Sequence, residues 1–199
     1  MSLYATAMEN TEKRSPGRPR SEVSRNAILD AAYWQVMERS YDKVTADSIA
    51  KAAGAGKQTL YRWWPSKAAV ILDALAEKGR TRIDRPQEAA IRSGDLLGFL
   101  RAVIPAIAAF GPALRHLMAE AQFDPALRAM LRERLIEPRR EPLRQLLAAR
   151  VSDAHKREAL VSAIYGAVWY RLLLDEPIDE ALVIELAALA PSPSHNHLR

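Results

Sequence analysis

Apolar residues recur every three or four positions through most of this chain, and nowhere do they alternate with polar ones as a half-buried strand requires. The pattern predicts an all-α protein in two parts. In the first part, residues 22 to about 39 form a helix capped by Ser21, with Ala27, Ile28, Ala31, Ala32, Trp34, Gln35 and Met37 on its inward face. Ile49, Ala50 and Ala53 give a shorter second helix its apolar side. Thr45 can cap its start, and Gly54 ends it, because a left-handed C-terminal residue costs glycine little. A third helix covers 57–63 after Gly56, with only Leu60 and one or two rings turned inward. Pro65 stops it, and Ser66 caps a fourth helix over 68 to about 82, which carries Val70, Ile71, Ala74 and Leu75.

Residues 80–87 read as a junction, and the helices beyond it are mostly longer. One covers 95–110, with Pro105 expected to kink it by removing a backbone donor. Gly111 and Pro112 turn the chain into a short helix over 113–121. Asp124 followed by Pro125 opens a long helix to about 150, bent or interrupted near Pro138 and Pro142. Asp153 or Ser152 caps the next, over 154–174, and 179–190 closes the fold after Pro177. The resulting division is a polar, disordered arm over 1–20, a three-helix helix-turn-helix domain over 21–83, a helical domain over 84–190 and a disordered tail over 191–199.

The short helix, glycine turn and polar second helix within 45–63 form a helix-turn-helix, a motif whose second helix enters the major groove of DNA. The stretch closely resembles the DNA-binding domain of the TetR family of bacterial transcriptional repressors. Thr45, Ile49, Ala50, Ala53, Gly54, Thr59, Leu60, Tyr61, Pro65, Ser66 and Lys67 carry the resemblance, and 40–44 matches the family's turn after its first helix. Three positions depart from it: Gly56 where the family uses Ser or Thr, Ala55 where it uses valine, and Trp63 where histidine is common. The resemblance is specific over 27–75. It implies a homodimer joined through a four-helix bundle and a ligand pocket between the long helices of the second domain.

Charge sharpens the division. The net charge is +5; residues 1–85 hold 15 Lys and Arg against 10 Asp and Glu, whereas 86–199 hold 14 of each. The whole excess therefore lies with the helix-turn-helix, where phosphate neutralisation supplies sequence-independent affinity. Lys57 and Gln58 are the expected base readers, since lysine reads guanine and glutamine reads adenine. Thr59 can offer its methyl to thymine or its hydroxyl to phosphate, Thr45, Tyr61, Trp63 and Lys67 are expected on the DNA backbone, and Arg62 suits either role. Arg25 is either a phosphate contact or an ordinary surface charge. The arm carries Arg18 and Arg20 within a basic run whose Gly-Arg-Pro resembles a minor-groove AT-hook; the other reading is a solubilising tail.

Two features of the second domain carry alternatives. Ala159, Ala163, Gly166 and Ala167, with Tyr170 beside them, suit a close helix-on-helix dimer interface or ordinary core packing. Phe99, Val103, Phe110, His116, Met118, Phe123, Met130 and Tyr165 line either a ligand pocket, as the resemblance implies, or a plain core. The chain has no cysteine, which excludes disulfides and thiolate metal sites, and no metal-ligand cluster, catalytic triad order or phosphate loop. His195 and His197 sit in the tail. No cofactor, metal or catalytic residue is expected, and a small helical enzyme is the weakest reading. No apolar run has the length of a membrane span, and the first residues lack the pattern of a secretory signal, so the expected place is the cytoplasm. The expected function is a dimeric repressor that binds a palindromic operator on double-stranded DNA and is released by a small hydrophobic or amphipathic ligand; an architectural DNA binder without a ligand is the alternative.

Overall fold

The computed structural model describes residues 18–192, with side chains placed for 22–78 and 87–192. Most of the arm, the side chains of Arg18 and Arg20, and His195 and His197 in the tail lie outside the described residues. Within them every regular element is helical. The first helix, α1, spans Arg18–Glu38. It starts a turn before Ser21, which lies inside it instead of capping it. Its buried stripe is Ile28, Leu29, Ala32, Tyr33 and Val36, and Trp34 is 53% exposed. The expectation that Trp34 faces inward fails because a residue two positions from both Ala32 and Val36 points to the opposite side of a helix.

A 3₁₀ turn at Tyr41–Lys43 leads into α2 (Ala46–Ala52) and α3 (Lys57–Trp63). The fourth helix, α4, runs Lys67–Ser93, with Ser66 as its N-cap and Gly94 in the left-handed region closing it. Its 27 residues span about 40 Å. The junction expected at 80–87 is therefore not a break: one helix passes through it. Beyond lie α5 (Leu96–Ala109) and α6 (Gly111–Phe123), bent 72° from each other. Then follow α7 (Pro125–Leu131), a π turn (Arg132–Ile136), α8 (Glu137–Ala148), α9 (Ala154–Leu174) and α10 (Glu180–Ala188). Asp95, Asp124, Asp153 and Asp179 cap α5, α7, α9 and α10 with their carboxylates. The bend expected near Pro138 takes the form of the π turn just before it. Proline cannot donate to the carbonyl four residues back, and the preceding turn widens, with Glu137 N–H bonded to Arg132 O five residues away. No single helix among the described residues is long and apolar enough to cross a membrane.

The core is one continuous cluster reaching from Ile28 to Leu186. α4 packs on α1 along one side and on α5 along the other. Its Ala68, Ile71, Leu72 and Leu75 are buried, so the helix-turn-helix and the second domain share an interior. α6 approaches α9 closely at Gly111, where a Cβ would stand 2.7 Å from Leu172.

Polar contacts around Tyr41 and around Asp73 bridge the domains. Tyr41 donates its hydroxyl to Glu120 at 2.8 Å and stacks on His116 with ring centroids 4.9 Å apart. Burial, and then the Glu120 carboxylate, push the Tyr41 phenol far up, so it stays neutral. Trp64, 2% exposed, donates its Nε1 hydrogen to Asp73 at 2.8 Å, and Arg134 in the π turn reaches both Asp73 oxygens at 2.8 and 2.9 Å. Farther along, Glu158 on α9 accepts from Arg144 at 2.7 Å and from Arg140, tying α8 to α9. Those hydrogen bonds, Arg144 first, hold its carboxyl at about 2, against an ordinary 4.5.

Two outcomes follow from these contacts. Trp64→Phe removes a hydrogen bond to a charged, mostly buried acceptor and is expected to cost ~1–3 kcal/mol in denaturant unfolding. Combined with Asp73→Asn it should cost less than the sum of the two single changes; additivity would mean the pair is not coupled. For Glu158, the folded pKa lies below the unfolded one, so its pairing stabilises the fold above 4.5 and fades as pH falls towards 2. Glu158→Gln should therefore lower Tm at neutral pH, and its Tm should converge on that of the wild type as the pH falls through that interval.

Candidate nucleic-acid interface and cavity

α2 is held at both ends by its own sequence. Thr45 Oγ1 accepts from Ser48 N at 3.0 Å and Ser48 Oγ accepts from Thr45 N at 3.0 Å, a reciprocal capping box. Gln35, buried on α1, accepts from the Ser48 hydroxyl at 2.6 Å and donates to Ser48 O at 2.9 Å, which fixes α2 against α1. At the other end Gly54 takes φ +62, Ala55 N bonds Ala50 O at 2.9 Å and Gly54 N bonds Lys51 O at 3.2 Å. This pair of bonds is a Schellman closure, and it sets the turn into α3.

α3 has no side-chain cap, because Gly56 occupies the capping position. Leu60 is its buried anchor, with Trp64 directly after it. Lys57, Gln58, Tyr61, Arg62 and Trp63 are exposed, and Thr59 is half-buried. Gln58, Tyr61 and Arg62 fall on one face at three- and four-residue spacing. Lys57 Nζ pairs with the Asp47 carboxylate of α2 at 2.9 Å, a hydrogen bond that raises its pKa and keeps it charged. Such an exposed pair can exchange its partner for a base edge or a phosphate.

Two expected DNA contacts are engaged within the protein. Lys67 Nζ donates to Tyr41 O at 3.1 Å and sits 3.9 Å above the Tyr41 ring. Arg25 pairs with Glu77 at 3.1 Å and lies 5.8 Å from the Trp64 ring centroid. Both brace the reading head, because a half-buried cation next to a ring and an acceptor already has its partners. Sequence reasoning placed Gln35 on the inward face of α1, where it is buried, but missed Trp64, Asp73 and Arg134. A tryptophan at the end of a short polar helix is itself a signal, since a buried indole needs an acceptor for its N–H.

The second domain contains a cavity of about 180 Å³. Leu75 from α4, Ile107 and Phe110 from α5 and Leu114 from α6 form one side. Leu135 and Ile136 of the π turn, Arg139 and Arg140 of α8, and Ser162, Tyr165, Gly166 and Trp169 of α9 form the other. Of the eight residues expected here, Phe110 and Tyr165 are in the wall. Phe99 and Val103 are buried in the core outside it, and Met118 and Met130 pack half-buried on the core. His116 lies at the Tyr41 stack between the domains, its Nε2 3.4 Å from Asp42. Phe123 is 92% exposed. The eight scatter because α6 ends with Phe123 at the surface and α7 starts a new direction, which periodicity alone does not reveal.

On α9, Ala159, Ala163, Gly166 and Tyr170 share an exposed stripe that continues through Leu173 and Leu174. Ala167, four residues after Ala163 and three before Tyr170, lies on the same side, half-buried where the stripe meets the core. Ile184 of α10 and Leu189 just after it are also exposed. Among the described residues no group of three His, Cys, Asp or Glu could hold a metal ion.

Comparison with known proteins agrees with this architecture. Residues 28–74 match the family described as bacterial regulatory proteins, tetR family, and 92–190 match the tetracyclin repressor-like C-terminal domain. The uncharacterized HTH-type transcriptional regulator YdeS of Bacillus subtilis (strain 168) is 33% identical over 182 residues, covering 85% of this chain and 89% of its own. The DNA-binding transcriptional repressor TetR of Mycobacteroides abscessus is 26% identical over 170 residues, or 82% of this chain and 90% of its own. The crystal structure of the TetR family transcription regulator SCO0332 aligns with a TM-score of 0.67 at 29% identity, over 83% of this chain and 94% of that one. With a capped helix-turn-helix that exposes a polar second helix, an all-helical second domain, and matches across both, this chain belongs to the TetR family of bacterial transcriptional regulators.

Proposed function

We propose that this protein is a repressor that binds a palindromic operator as a homodimer in the cytoplasm and leaves it when a small apolar or amphipathic molecule enters the second-domain cavity. One observation carries the reading. The π turn contributes Leu135 and Ile136 to the cavity wall, and its Arg134 holds Asp73, which in turn holds Trp64 at the end of α3. A ligand that shifts the π turn therefore acts on the base of the recognition helix, provided it binds the free and DNA-bound shapes with different affinity. The M. abscessus relative is itself named a repressor.

Gln58 and Lys57 are the base readers in this reading, with Thr59 beside them and Arg62, Tyr61, Trp63 and Thr45 on the DNA backbone. Assembly uses the exposed stripe of α9 together with α10, because two reading heads on adjacent half-sites need a two-fold partner. Gly166 is a poor probe of that interface, since it also borders the cavity; Leu174 and Ile184 are exposed apolar residues outside its wall.

Selection of bound sequences from a random DNA pool should return an inverted repeat. Gln58→Ala should relax one base pair in each half-site, at ~1–3 kcal/mol on the selected sequence, whereas Arg62→Ala should weaken scrambled and selected DNA alike. Equal weakening by Gln58→Ala on both would remove it from the reader set. Sedimentation should show Leu174→Asp combined with Ile184→Asp shifting dimer to monomer, with loss of operator binding but a folded chain by circular dichroism. An undiminished dimer would place the interface elsewhere.

A further inference from the structure

The cavity's few polar groups have one chemical character. Its wall includes two arginines, a serine hydroxyl and a tyrosine hydroxyl, and no carboxylate. Tyr165 donates to Arg139 O at 2.7 Å, and burial pushes its phenol up, so it adds no negative charge. The nearby carboxylates are already paired: Glu137, Glu141 and Glu158 gather around Arg144 at 2.8, 3.2 and 2.7 Å, and Glu158 also takes Arg140. Arg140 uses Nη2 on Glu158 and on Ser162 Oγ, the latter at 3.0 Å. Its Nε is enclosed and has no hydrogen-bond partner. Buried donors in native proteins are nearly always paired, so this enclosed Nε leaves Arg140 with unmet hydrogen-bonding capacity at the edge of the cavity, which an acceptor from outside the chain reaches once the guanidinium turns towards it. Ser162 accepts from Arg140 and keeps its own hydrogen to donate.

We infer that the cavity takes a small apolar carboxylate, with its ring or short chain against Phe110, Leu114 and Leu135 and its carboxylate on Arg140 and Ser162. The inference rests on the reading of this cavity as the effector site and names the class of effector. Size supports it: an apolar cavity of ~150 Å³ holds benzene, and about 180 Å³ suits one ring with a small polar group. Charge supports it as well, since an arginine donor meets a carboxylate with a shorter and stronger hydrogen bond than it meets a neutral carbonyl. Ser162 and Gly166 are exposed in the single chain, so the mouth opens at the edge of the α9 stripe, where a partner subunit would border it.

The test compares 4-ethylbenzoate with its uncharged amide by calorimetry on the full chain at neutral pH, and by release of the selected operator. The acid should bind ~10-fold or more tightly than the amide and release DNA at correspondingly lower concentration. Arg140→Met should remove that preference while leaving amide affinity within about twofold; Glu158 keeps Arg144 in this variant, so no carboxylate is stranded. The wild-type acid-to-amide ratio decides the question even if the variant does not fold. Equal binding of acid and amide, with both releasing operator, would overturn the anionic class and leave the cavity as an effector site. Binding of the acid without operator release would keep the site and sink the regulatory reading. Failure of both compounds to bind would overturn the inference outright.

Discussion

A seven-residue helix does not hold itself together in water, because nucleation costs more than two turns of hydrogen bonds return. The recognition helix α3 is such a helix, its N-cap is a glycine, and its outward face must stay polar to meet DNA. Its order therefore comes from what lies under it: Leu60 in the core and Trp64 sealed beneath the last turn. Burying Trp64 brings its own requirement, since an indole N–H without an acceptor would forfeit much of what the ring's burial contributes. Asp73 meets that requirement, and a carboxylate only 12% exposed needs a cation in turn, which Arg134 supplies from the second domain. The conformation of the reading head is thereby made to depend on a residue 61 positions beyond Asp73 in the chain.

That residue sits in the π turn, the least regular part of the second domain. Pro138 and its missing donor account for the irregularity, and the widened turn presents Leu135 inward while Arg134 reaches Asp73. Two neighbouring residues thus serve the cavity wall and the brace under α3. The Tyr41 stack on His116 is a second connection, made by α6 to the turn before α2. α4 runs past both as an uninterrupted helix, so motion at one end is passed along a stiff element and not absorbed by a flexible linker.

α9 answers two demands at once. Val161, Ile164, Tyr165, Val168 and Leu172 are buried in the core, while Ala163, Tyr170, Leu173 and Leu174 are exposed on the opposite side. A helix apolar all round is normally buried all round. In a single chain half of that surface has no cover, and a second copy of the same surface is the simplest complement.

The local grammar of the chain is legible in the order of its residues. Thr45, Ser66, Asp124, Asp153 and Asp179 act as caps, Gly54 closes α2, and the outward polar face of α3 follows from Leu60 being its one inward residue. These are short-range effects, decided within a turn by hydrogen-bond geometry and backbone sterics, and sequence spacing reports them directly. Other features depend on distant partners. Pro86 argues from the sequence for a helix that stops near 82, and only the packed structure shows one that runs through to Ser93. The roles of Arg25 and Lys67 as internal braces depend on Glu77 and Tyr41 arriving beside them. The cavity wall is assembled from several helices and a π turn, so Phe123 and His116, apt by residue type, lie elsewhere, while Arg139 and Arg140, hidden between two prolines, line it. Periodicity tells which side of a helix is apolar. Which neighbour that side meets, and which charge finds which, is settled only when the whole core packs.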